Sequence, residues 1–287
     1  MKILILGSKG NLGSQLVKVF DNKDNDVTAW DKEEIDITDK GLILKKMEDI
    51  KPHIVINAAA YNAVDKCEES EEEYDLAKRI NIDGPKFLAE ACISTGAILI
   101  HYSSDYVFDG KKEEGYFEID EPAPINRYGK TKFHGEKRIL ELNGKGLKYY
   151  IIRTSKLFGP RVESNVAKPS FFDVMLDLAG KREFLDLVDE EKSCFTYTPD
   201  LARATRDLIE SKKGSGIYHL TNSSACTWYE AGCELFKIAG KDIKINKITG
   251  DKLPRPAKRP KNSVLLNTKL DNLRDYKEAL EEYLKIK

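Results

Sequence analysis

The sequence has few cysteines, and none lies in a metal-binding spacing. Five occur in 287 residues, and they are Cys67, Cys92, Cys194, Cys226 and Cys233. The number is odd, no pair has the CxxC spacing, and the surrounding residues are apolar or helical in character. The pattern therefore indicates neither a disulfide framework nor a zinc site. We expect reduced thiols in a cytoplasmic protein.

Strong net charge and long apolar runs are also absent. Lys plus Arg total 47 and Asp plus Glu total 48, so the formal charge is −1, and no segment is basic enough to indicate a nucleic-acid partner. No apolar run approaches the roughly 18 residues that cross a bilayer. The run at 1–7 is too short for a signal peptide. We expect no nucleic-acid and no membrane partner.

Short apolar runs alternate with amphipathic segments over the first half of the chain. The runs at 2–6, 26–30, 53–59, 97–104 and 148–155 predict buried strands, and the segments between them have helical periodicity. Such alternation predicts right-handed βαβ units. The predicted fold class is α/β, with a Rossmann-like doubly wound parallel sheet and a smaller C-terminal α/β substrate domain.

Prolines interrupt this alternation after residue 155. They include Pro160, Pro169, Pro199 and those of the segment 252–263. Proline cannot continue a helix or a central strand, so the regular pattern ends there. We predict an NAD(P)-binding Rossmann domain over 1–155, to which the chain returns around 183–212, and a smaller substrate-binding domain over 156–287.

A glycine-rich segment, GSKGNLG, follows the first predicted strand and opens the first predicted helix. Gly7 permits a tight turn, Gly10 lets the backbone approach a pyrophosphate, and Gly13 allows the helix to pack closely on the strand. The amino terminus of the helix offers free N–H groups to phosphates. The segment predicts a dinucleotide-binding loop, and an ordinary tight turn is the alternative.

Asp31 ends the second predicted strand, roughly 20 residues beyond the glycines. An acidic side chain at this position accepts hydrogen bonds from an adenosine ribose and repels a 2′-phosphate. Asp31 therefore favours NADH over NADPH, although the neighbouring Lys32 weakens that preference. The alternative is an ordinary turn residue.

Ser104 ends the fourth predicted strand, and Tyr128 and Lys132 lie one turn apart on the following predicted helix. If these groups converge, they form a proton-transfer site. Reducing a ketone requires a hydride and a proton, and an unperturbed tyrosine with a pKa of about 10 exchanges protons slowly at neutral pH. We expect Lys132 to lower the pKa of Tyr128 and Ser104 to bond the carbonyl oxygen. A chance YxxxK pattern is the alternative.

Two charged segments allow two interpretations each. The acidic run at 65–75 is typical of a solvated helix start, and a cation site is the alternative. Arg255, Arg259 and Lys261 either bind a substrate diphosphate or form a solvated basic loop.

Eight segments carry a resemblance to a known family. They are NAAAYNAVDKCE, HYSSDYVFDG, YGKTKFHGE, IIRTS, YTPDLA, YHLTN, TWYE and RPKNSVLLNTKL. With the glycine loop they place the resemblance from Gly7 to about Lys269. The chain resembles the extended short-chain dehydrogenase/reductase superfamily and, within it, the dTDP-4-dehydrorhamnose reductase family. This implies NADH- or NADPH-dependent reduction of a nucleotide-linked 4-keto-6-deoxysugar, foremost dTDP-4-dehydro-L-rhamnose.

The resemblance also implies roles for individual residues. Tyr128 would donate the proton, Lys132 would bind the nicotinamide ribose and tune Tyr128, and Ser104 stands where the family usually has Thr. Cofactor contacts would fall on Gly10, Asn11, Leu12, Asp36, Ile37, Ala59, Ala60, Tyr61, Tyr102, Tyr128 and Lys132. Substrate contacts would fall on Ser104 and Asp105, and Tyr106, Lys156 and Arg259 are further candidates.

Several positions depart from the family pattern. Lys156 replaces a Trp expected beside the sugar or nucleotide, Ser170 replaces an Asn after a longer loop at 161–169, and Phe195 replaces a Pro. Some members use an acidic residue of the first helix to bind a metal between subunits. Gln15 takes that position here, so we predict no metal, and a monomer or homodimer.

Two alternatives to this reductase remain open. One is a non-catalytic regulatory subunit, because the methionine adenosyltransferase β subunit resembles the same family. The other is a reductase or epimerase of another sugar nucleotide. The presence of Ser104, Tyr128 and Lys132 together favours an enzyme.

Overall fold

The computed structural model describes residues 1–160, 162 and 167–287, and strands alternate with helices through most of it. The strands are β1 (Lys2–Leu6), β2 (Asp26–Trp30), β3 (Ile54–Asn57), β4 (Ile98–Ser104), β5 (Lys148–Thr154), β6 (Leu157–Phe158), β7 (Phe184–Val188), β8 (Thr196–Tyr197), β9 (Gly216–His219), β10 (Asn222–Ser223), β11 (Lys244–Ile248) and β12 (Leu273–Asp275). The α-helices are α1 (Asn11–Phe20), α2 (Lys40–Ile50), α3 (Lys66–Glu69), α4 (Glu71–Lys78), α5 (Gly84–Thr95), α6 (Arg127–Leu140), α7 (Phe171–Ala179), α8 (Thr198–Glu210), α9 (Trp228–Ile238) and α10 (Tyr276–Lys285). The inserted loop expected at 161–169 lies largely outside the described residues.

Six strands form one parallel sheet in the order β2-β1-β3-β4-β5-β9. Every pairing between neighbours is parallel, as βαβ connections require. The predicted α/β class with a doubly wound parallel sheet is confirmed. All five predicted strands are present, and the sixth, β9, was not predicted.

Both faces of this sheet are covered by helices, which explains the continuous apolar character of its strands. In β1, Ile3 and Ile5 pack with the side chains of α1 and α8 on one face. Leu4 and Leu6 pack with those of α2 and α5 on the other. Successive side chains of a strand point to opposite faces, so a strand buried on both sides has no polar face.

A π-helical turn, Arg79–Asp83, joins α4 to α5. The buried Asn81 projects from this turn, and its amide accepts from Tyr61 N and donates to Tyr61 O, both at 2.9 Å. It also donates to Thr131 Oγ1 on α6 at 3.0 Å. Single π turns are frequent at functional sites, and this one fixes the loop after β3 against α6.

The C-terminal region forms a second core around the aromatic side chains of α7, α9 and α10. β7 pairs with β11 in a separate two-stranded sheet. The chain returns to the main sheet through α8, which packs against α1, and through β9. α8 and β9 lie within 198–219, and the return expected around 183–212 stays a prediction. The domain limits at 155 and 156 stay predictions.

An ion pair between Arg153 on β5 and Glu136 on α6 is fully enclosed. The side chains are 1% and 0% exposed, and Arg153 donates from Nε and Nη2 to the two carboxylate oxygens at 2.9 and 2.7 Å. The guanidinium carbon lies 5.0 Å from the Phe108 ring centroid. This bidentate pair anchors α6 to the sheet.

The described helices include none with the length and apolar composition of a membrane-spanning segment.

Candidate active site

The glycine loop leaves no space for side chains at two positions. Gly7 has φ +75°, and a Cβ there would lie 2.7 Å from Ala59 N. A Cβ at Gly13 would overlap the carbonyl oxygen of Gly7. Both glycines therefore allow close backbone contacts, Gly7 with the segment after β3 and Gly13 with Gly7 itself. They lie at the start of α1, where the first N–H groups of a helix lack partners within the helix and can bind a phosphate. This cradle fits the pyrophosphate of a dinucleotide.

Asp31 lies beside this loop. Its carboxylate accepts hydrogen bonds from Lys9 N at 3.0 Å and from Lys32 N at 2.8 Å. The Lys9 ammonium pairs with Glu33 on the surface, at 2.9 Å. The Asp31 carboxylate thus lies at the end of β2, one strand away from the phosphate cradle. Its oxygens can accept further hydrogen bonds from a ribose.

A cavity of about 380 Å³ opens at the carboxyl ends of β1, β3, β4 and β5. The structure brings eleven of the predicted residues into its lining: Gly10, Asn11, Leu12, Gly13, Ala60, Tyr102, Ser104, Asp105, Tyr106, Tyr128 and Lys156. The cavity thus joins the glycine loop to the predicted proton-transfer residues. Ligands of doubly wound folds bind at this edge of the sheet.

Other predicted residues do not line the cavity. They are Gly7, Asp31, Asp36, Ile37, Ala59, Tyr61, Lys132 and Arg259. The Asp36 carboxylate accepts from Thr38 N and Oγ1 at 2.9 and 2.8 Å, and these bonds hold its pKa below the usual value. Tyr61 contacts Asn81 through its backbone, and its hydroxyl donates to Glu73.

Tyr128 lies in the first turn of α6, whose N-cap Asn126 accepts from Gly129 N at 2.7 Å. Its phenol and the Ser104 hydroxyl line the same cavity, and its ring meets that of Tyr106 edge to face at 5.9 Å. Burial raises the pKa of Tyr128, and the nearby Asp105 charge raises it further, whereas the Ser104 hydroxyl opposes this shift. The phenol is therefore protonated at neutral pH.

This direction is opposite to the lowering expected from Lys132. The Lys132 ammonium is buried and donates to Tyr102 O at 2.7 Å, so its charge does not offset the desolvation of the Tyr128 phenolate. Burial also lowers the pKa of Lys132 to about 8, and Glu136 opposes that shift. Tyr102 contributes its carbonyl here, while its hydroxyl bonds Thr205 Oγ1 at 2.7 Å.

Asp105 is bonded to three serine hydroxyls. Ser104 Oγ donates to Oδ1 at 3.0 Å, and Ser155 and Ser263 donate to Oδ2 at 2.9 and 2.6 Å. Burial raises the pKa of Asp105, and the three bonds oppose the shift. Ser155 and Ser263 were given no role from sequence, although both lie in segments that carry the family resemblance. They hold the carboxylate next to Ser104.

Lys156 also reaches the cavity, together with a residue that sequence reasoning missed. The Lys156 Nζ lies 3.5 Å from the Trp228 ring centroid and 5.0 Å from that of Phe195. Trp228 begins α9, in the resemblance segment TWYE, and lines the same cavity. An aromatic ring therefore lies beside Lys156, the position at which the resemblance implies a Trp.

Arg259 is not brought to the cavity. Its guanidinium donates to both oxygens of Asp65, at 2.6 and 2.7 Å, and to Ala257 O at 2.6 Å. Arg255 is likewise paired with Glu191. The expected diphosphate contact therefore has no support in this geometry. The acidic run is not wholly solvated either, because Asp65 holds Arg259 and Glu68 accepts from Arg127 N at 2.6 Å.

The described residues contain no group of three or more His, Cys, Asp or Glu side chains that could hold a metal ion. Gln15, which takes the position of a metal-binding acid in some family members, is buried in α1. Its amide donates to Ser14 Oγ at 3.3 Å.

Comparison with known proteins points to one family. The model described as RmlD substrate binding domain matches residues 1–287. A dTDP-4-dehydrorhamnose reductase from Aggregatibacter actinomycetemcomitans is 36% identical, over 94% of this chain and 92% of its own. The crystal structure of a dTDP-4-dehydrorhamnose reductase from Clostridium acetobutylicum is 41% identical, with a TM-score of 0.92 and coverage of 100% and 99%. That of the Bacillus anthracis enzyme, in complex with NADP, is 33% identical, with the same TM-score and coverage.

Proposed function

Because this chain belongs to the RmlD substrate binding domain family, we propose that it reduces the 4-keto group of dTDP-4-dehydro-L-rhamnose to give dTDP-L-rhamnose. The chain is an NAD(P)-dependent oxidoreductase whose substrate is a nucleotide sugar. One observation carries the proposal: Ser104 and Tyr128 line the same cavity as the glycine loop. A proton donor and a dinucleotide cradle therefore share one space.

A nicotinamide cofactor supplies the hydride when bound. The open backbone at Gly10 and the first N–H groups of α1 hold its pyrophosphate, and Asp31 holds the adenosine ribose. Asp36, Ile37, Ala59, Ala60 and Tyr61 are proposed to surround the rest of the nucleotide. Asn81 supports this surface by fixing the backbone of Tyr61.

Tyr128 donates the proton to the oxygen that becomes the new hydroxyl. Burial keeps the phenol protonated until the hydride arrives, so a raised pKa suits a proton donor. Lys132, one helical turn away, favours the phenolate that remains after transfer. Ser104 positions the ketone oxygen by turning its hydroxyl from Asp105 towards the substrate, while Asp105 keeps its bonds from Ser155 and Ser263.

The test is a turnover assay with product identification. Purified protein, a reduced nicotinamide cofactor and dTDP-4-dehydro-L-rhamnose should lose the absorbance of the reduced nicotinamide and yield dTDP-L-rhamnose. A sugar-nucleotide epimerase would change the sugar without net consumption of cofactor. Absence of turnover with every 4-keto sugar nucleotide, combined with tight binding to another enzyme, would instead support the regulatory subunit.

We propose that NADH is preferred, because the fixed charge of Asp31 opposes a 2′-phosphate. Asp31→Ser should raise the ratio of kcat/KM for NADPH to that for NADH by about tenfold or more, since one close charge pair near a protein surface contributes about 1–4 kcal/mol. Steady-state kinetics with both cofactors measures this ratio. Asp26→Ser removes the same charge from the exposed opposite end of β2 and should leave the ratio unchanged. An unchanged ratio in Asp31→Ser contradicts the role of Asp31.

We also propose a monomer or homodimer without a bridging metal. The neutral Gln15 amide lies where a bridging acid would be required, and a neutral amide binds divalent cations more weakly than a carboxylate. The molar mass from light scattering should therefore stay the same when EDTA is added. Dissociation by the chelator would show that a metal holds subunits together.

A further inference from the structure

Lys156 carries a buried cation without a hydrogen-bond partner. The surface of its Nζ is fully covered, although the residue as a whole is partly exposed, and no acceptor among the described residues bonds it. Its φ of 38° is in the left-handed region, which is unusual for a lysine. The pairing of β6 with β8 holds the backbone of Lys156 in this conformation, because Thr196 N donates to Lys156 O at 3.1 Å. Strained residues with unsatisfied groups cluster at ligand sites.

Trp228 forms a fixed support under this ammonium. Its indole Nε1 donates to Glu191 Oε2 at 2.9 Å, and Arg255 holds the same carboxylate through two hydrogen bonds. The Thr227 capping box fixes the start of α9 at the same place. The cation–π contact stabilises the charge from one side but leaves the three N–H donors without oxygen acceptors.

The neighbouring carboxylates do not supply those acceptors. The groups whose charges act on Lys156 are Asp105, Glu191, Cys194 and Cys226. Asp105 is occupied by its three serines, and Glu191 by Arg255 and Trp228. Both thiols are buried and have raised pKa values, so they are neutral near pH 7. Among the described residues the ammonium therefore has no oxygen acceptor, and because its Nζ is covered, a ligand oxygen bonds it only by displacing a side chain now packed against it.

The order of strands places Lys156 on the substrate side of the cavity. Asp31, the glycine loop and Ser104 follow β2, β1 and β4, so a dinucleotide laid along this edge runs from β2 towards β4. Lys156 follows β5, which pairs with β4 on the side away from β1. A ligand that reaches Lys156 therefore extends past Ser104 and Tyr128, beyond the cofactor.

We infer that Lys156 donates hydrogen bonds to an oxygen of the substrate's hexose and so selects the sugar of the nucleotide sugar. The inference rests on the proposed function, and it names the recognition at the same site. The ligand class is a nucleotide-linked hexose with an acceptor oxygen on the side that faces Trp228. A Trp at position 156 would offer the sugar only an apolar surface. The Lys156 ammonium on the Trp228 ring instead requires an oxygen acceptor, because its buried donors otherwise stay unpaired.

The experiment compares a ligand that has the sugar with one that lacks it. Calorimetry measures binding of dTDP-L-rhamnose and of dTDP to protein saturated with NADH, where product and cofactor are both reduced and no turnover occurs. Lys156→Met should weaken dTDP-L-rhamnose binding by about 10- to 100-fold, the range for a hydrogen bond to a charged group. Binding of dTDP should stay the same.

Two further variants sharpen the comparison. Lys181→Met removes an exposed lysine paired with Asp177 in the same region and should change neither affinity. Lys156→Arg keeps a charge that does not titrate. Burial lowers the pKa of Lys156 to about 8, so the affinity of the natural protein for dTDP-L-rhamnose should fall as the pH rises above 8, whereas that of Lys156→Arg should not. Lys132 is present in both proteins and cannot cause a difference between them.

The outcomes separate this inference from the function on which it rests. Equal losses for dTDP and dTDP-L-rhamnose in Lys156→Met would place the ammonium on the nucleotide, and no loss for either would make Lys156 structural; both results overturn the inference. If the natural protein reduces no 4-keto sugar nucleotide, the proposed function itself is wrong. If the natural protein reduces the ketone and Lys156→Met does so with the same KM, only the inference about Lys156 is wrong and the proposed function stands. A thermal melt verifies that the variant is folded.

Discussion

Tyr128→Phe should reduce kcat about 10³-fold while the Kd of the sugar nucleotide changes little. A general acid contributes about 10²- to 10⁴-fold to a reaction rate, and the phenylalanine ring keeps the shape of the cavity wall. The variant loses the proton donor that lines the cavity with Ser104. The effect should therefore appear in kcat and not in binding.

Single-turnover kinetics and calorimetry with dTDP-L-rhamnose measure the two quantities separately. Tyr149→Phe is the matched control, because it removes a phenol hydroxyl from β5 outside the cavity lining, and its kcat should equal that of the natural protein. Retention of more than about a tenth of the natural kcat in Tyr128→Phe would contradict the assignment of a general acid.

The second large effect concerns the free energy of unfolding. Glu136→Gln should reduce it by about 3–5 kcal/mol, because breaking a buried ion pair leaves an uncompensated charge on Arg153. Urea unfolding followed by circular dichroism measures this loss. Glu141→Gln breaks an exposed pair with Arg138 and should cost about 0–1 kcal/mol. Equal losses in the two variants would show that enclosure of the pair is unimportant.

The same variant should also alter the pH dependence of turnover. The Glu136 charge raises the pKa of Lys132 against the effect of burial. Removing this charge lowers that pKa further below about 8, so the ammonium is lost at a lower pH. The decline of kcat at alkaline pH should begin at a lower pH in Glu136→Gln than in the natural protein.

The sequence was sufficient for the strands of the main sheet that are buried on both faces. The run 2–6 matches β1 to the residue, because a strand covered by helices on both sides has few polar positions. The run 26–30 also matches β2, although this edge strand is only partly buried. β9 was missed, since four residues with two half-buried positions carry little periodic signal. Its place depends on pairing with β5, which is distant in sequence.

The candidate active site was likewise predictable from the sequence only in part. The glycine loop, Ser104 and Tyr128 could be placed in one site, because each follows a strand of a parallel sheet or opens the next helix. Trp228 and Asn81 could not, since one arrives from a helix of the C-terminal region and the other depends on a π turn that α-helical periodicity does not reveal. Arg259 has the charge that a diphosphate requires, but only the folded chain shows Asp65 opposite it.

Addition of β9 to β5 has a consequence for synthesis on the ribosome. When residue 155 has emerged, β5 is an unpaired edge whose Ile151 and Ile152 belong to the buried core, and α8 is not yet available to cover α1. Some sixty further residues must follow before 216–219 close that edge. Unpaired apolar edges of partly folded chains invite aggregation. The nascent N-terminal half therefore passes through an interval in which the free edge of β5 is open to pairing with other chains.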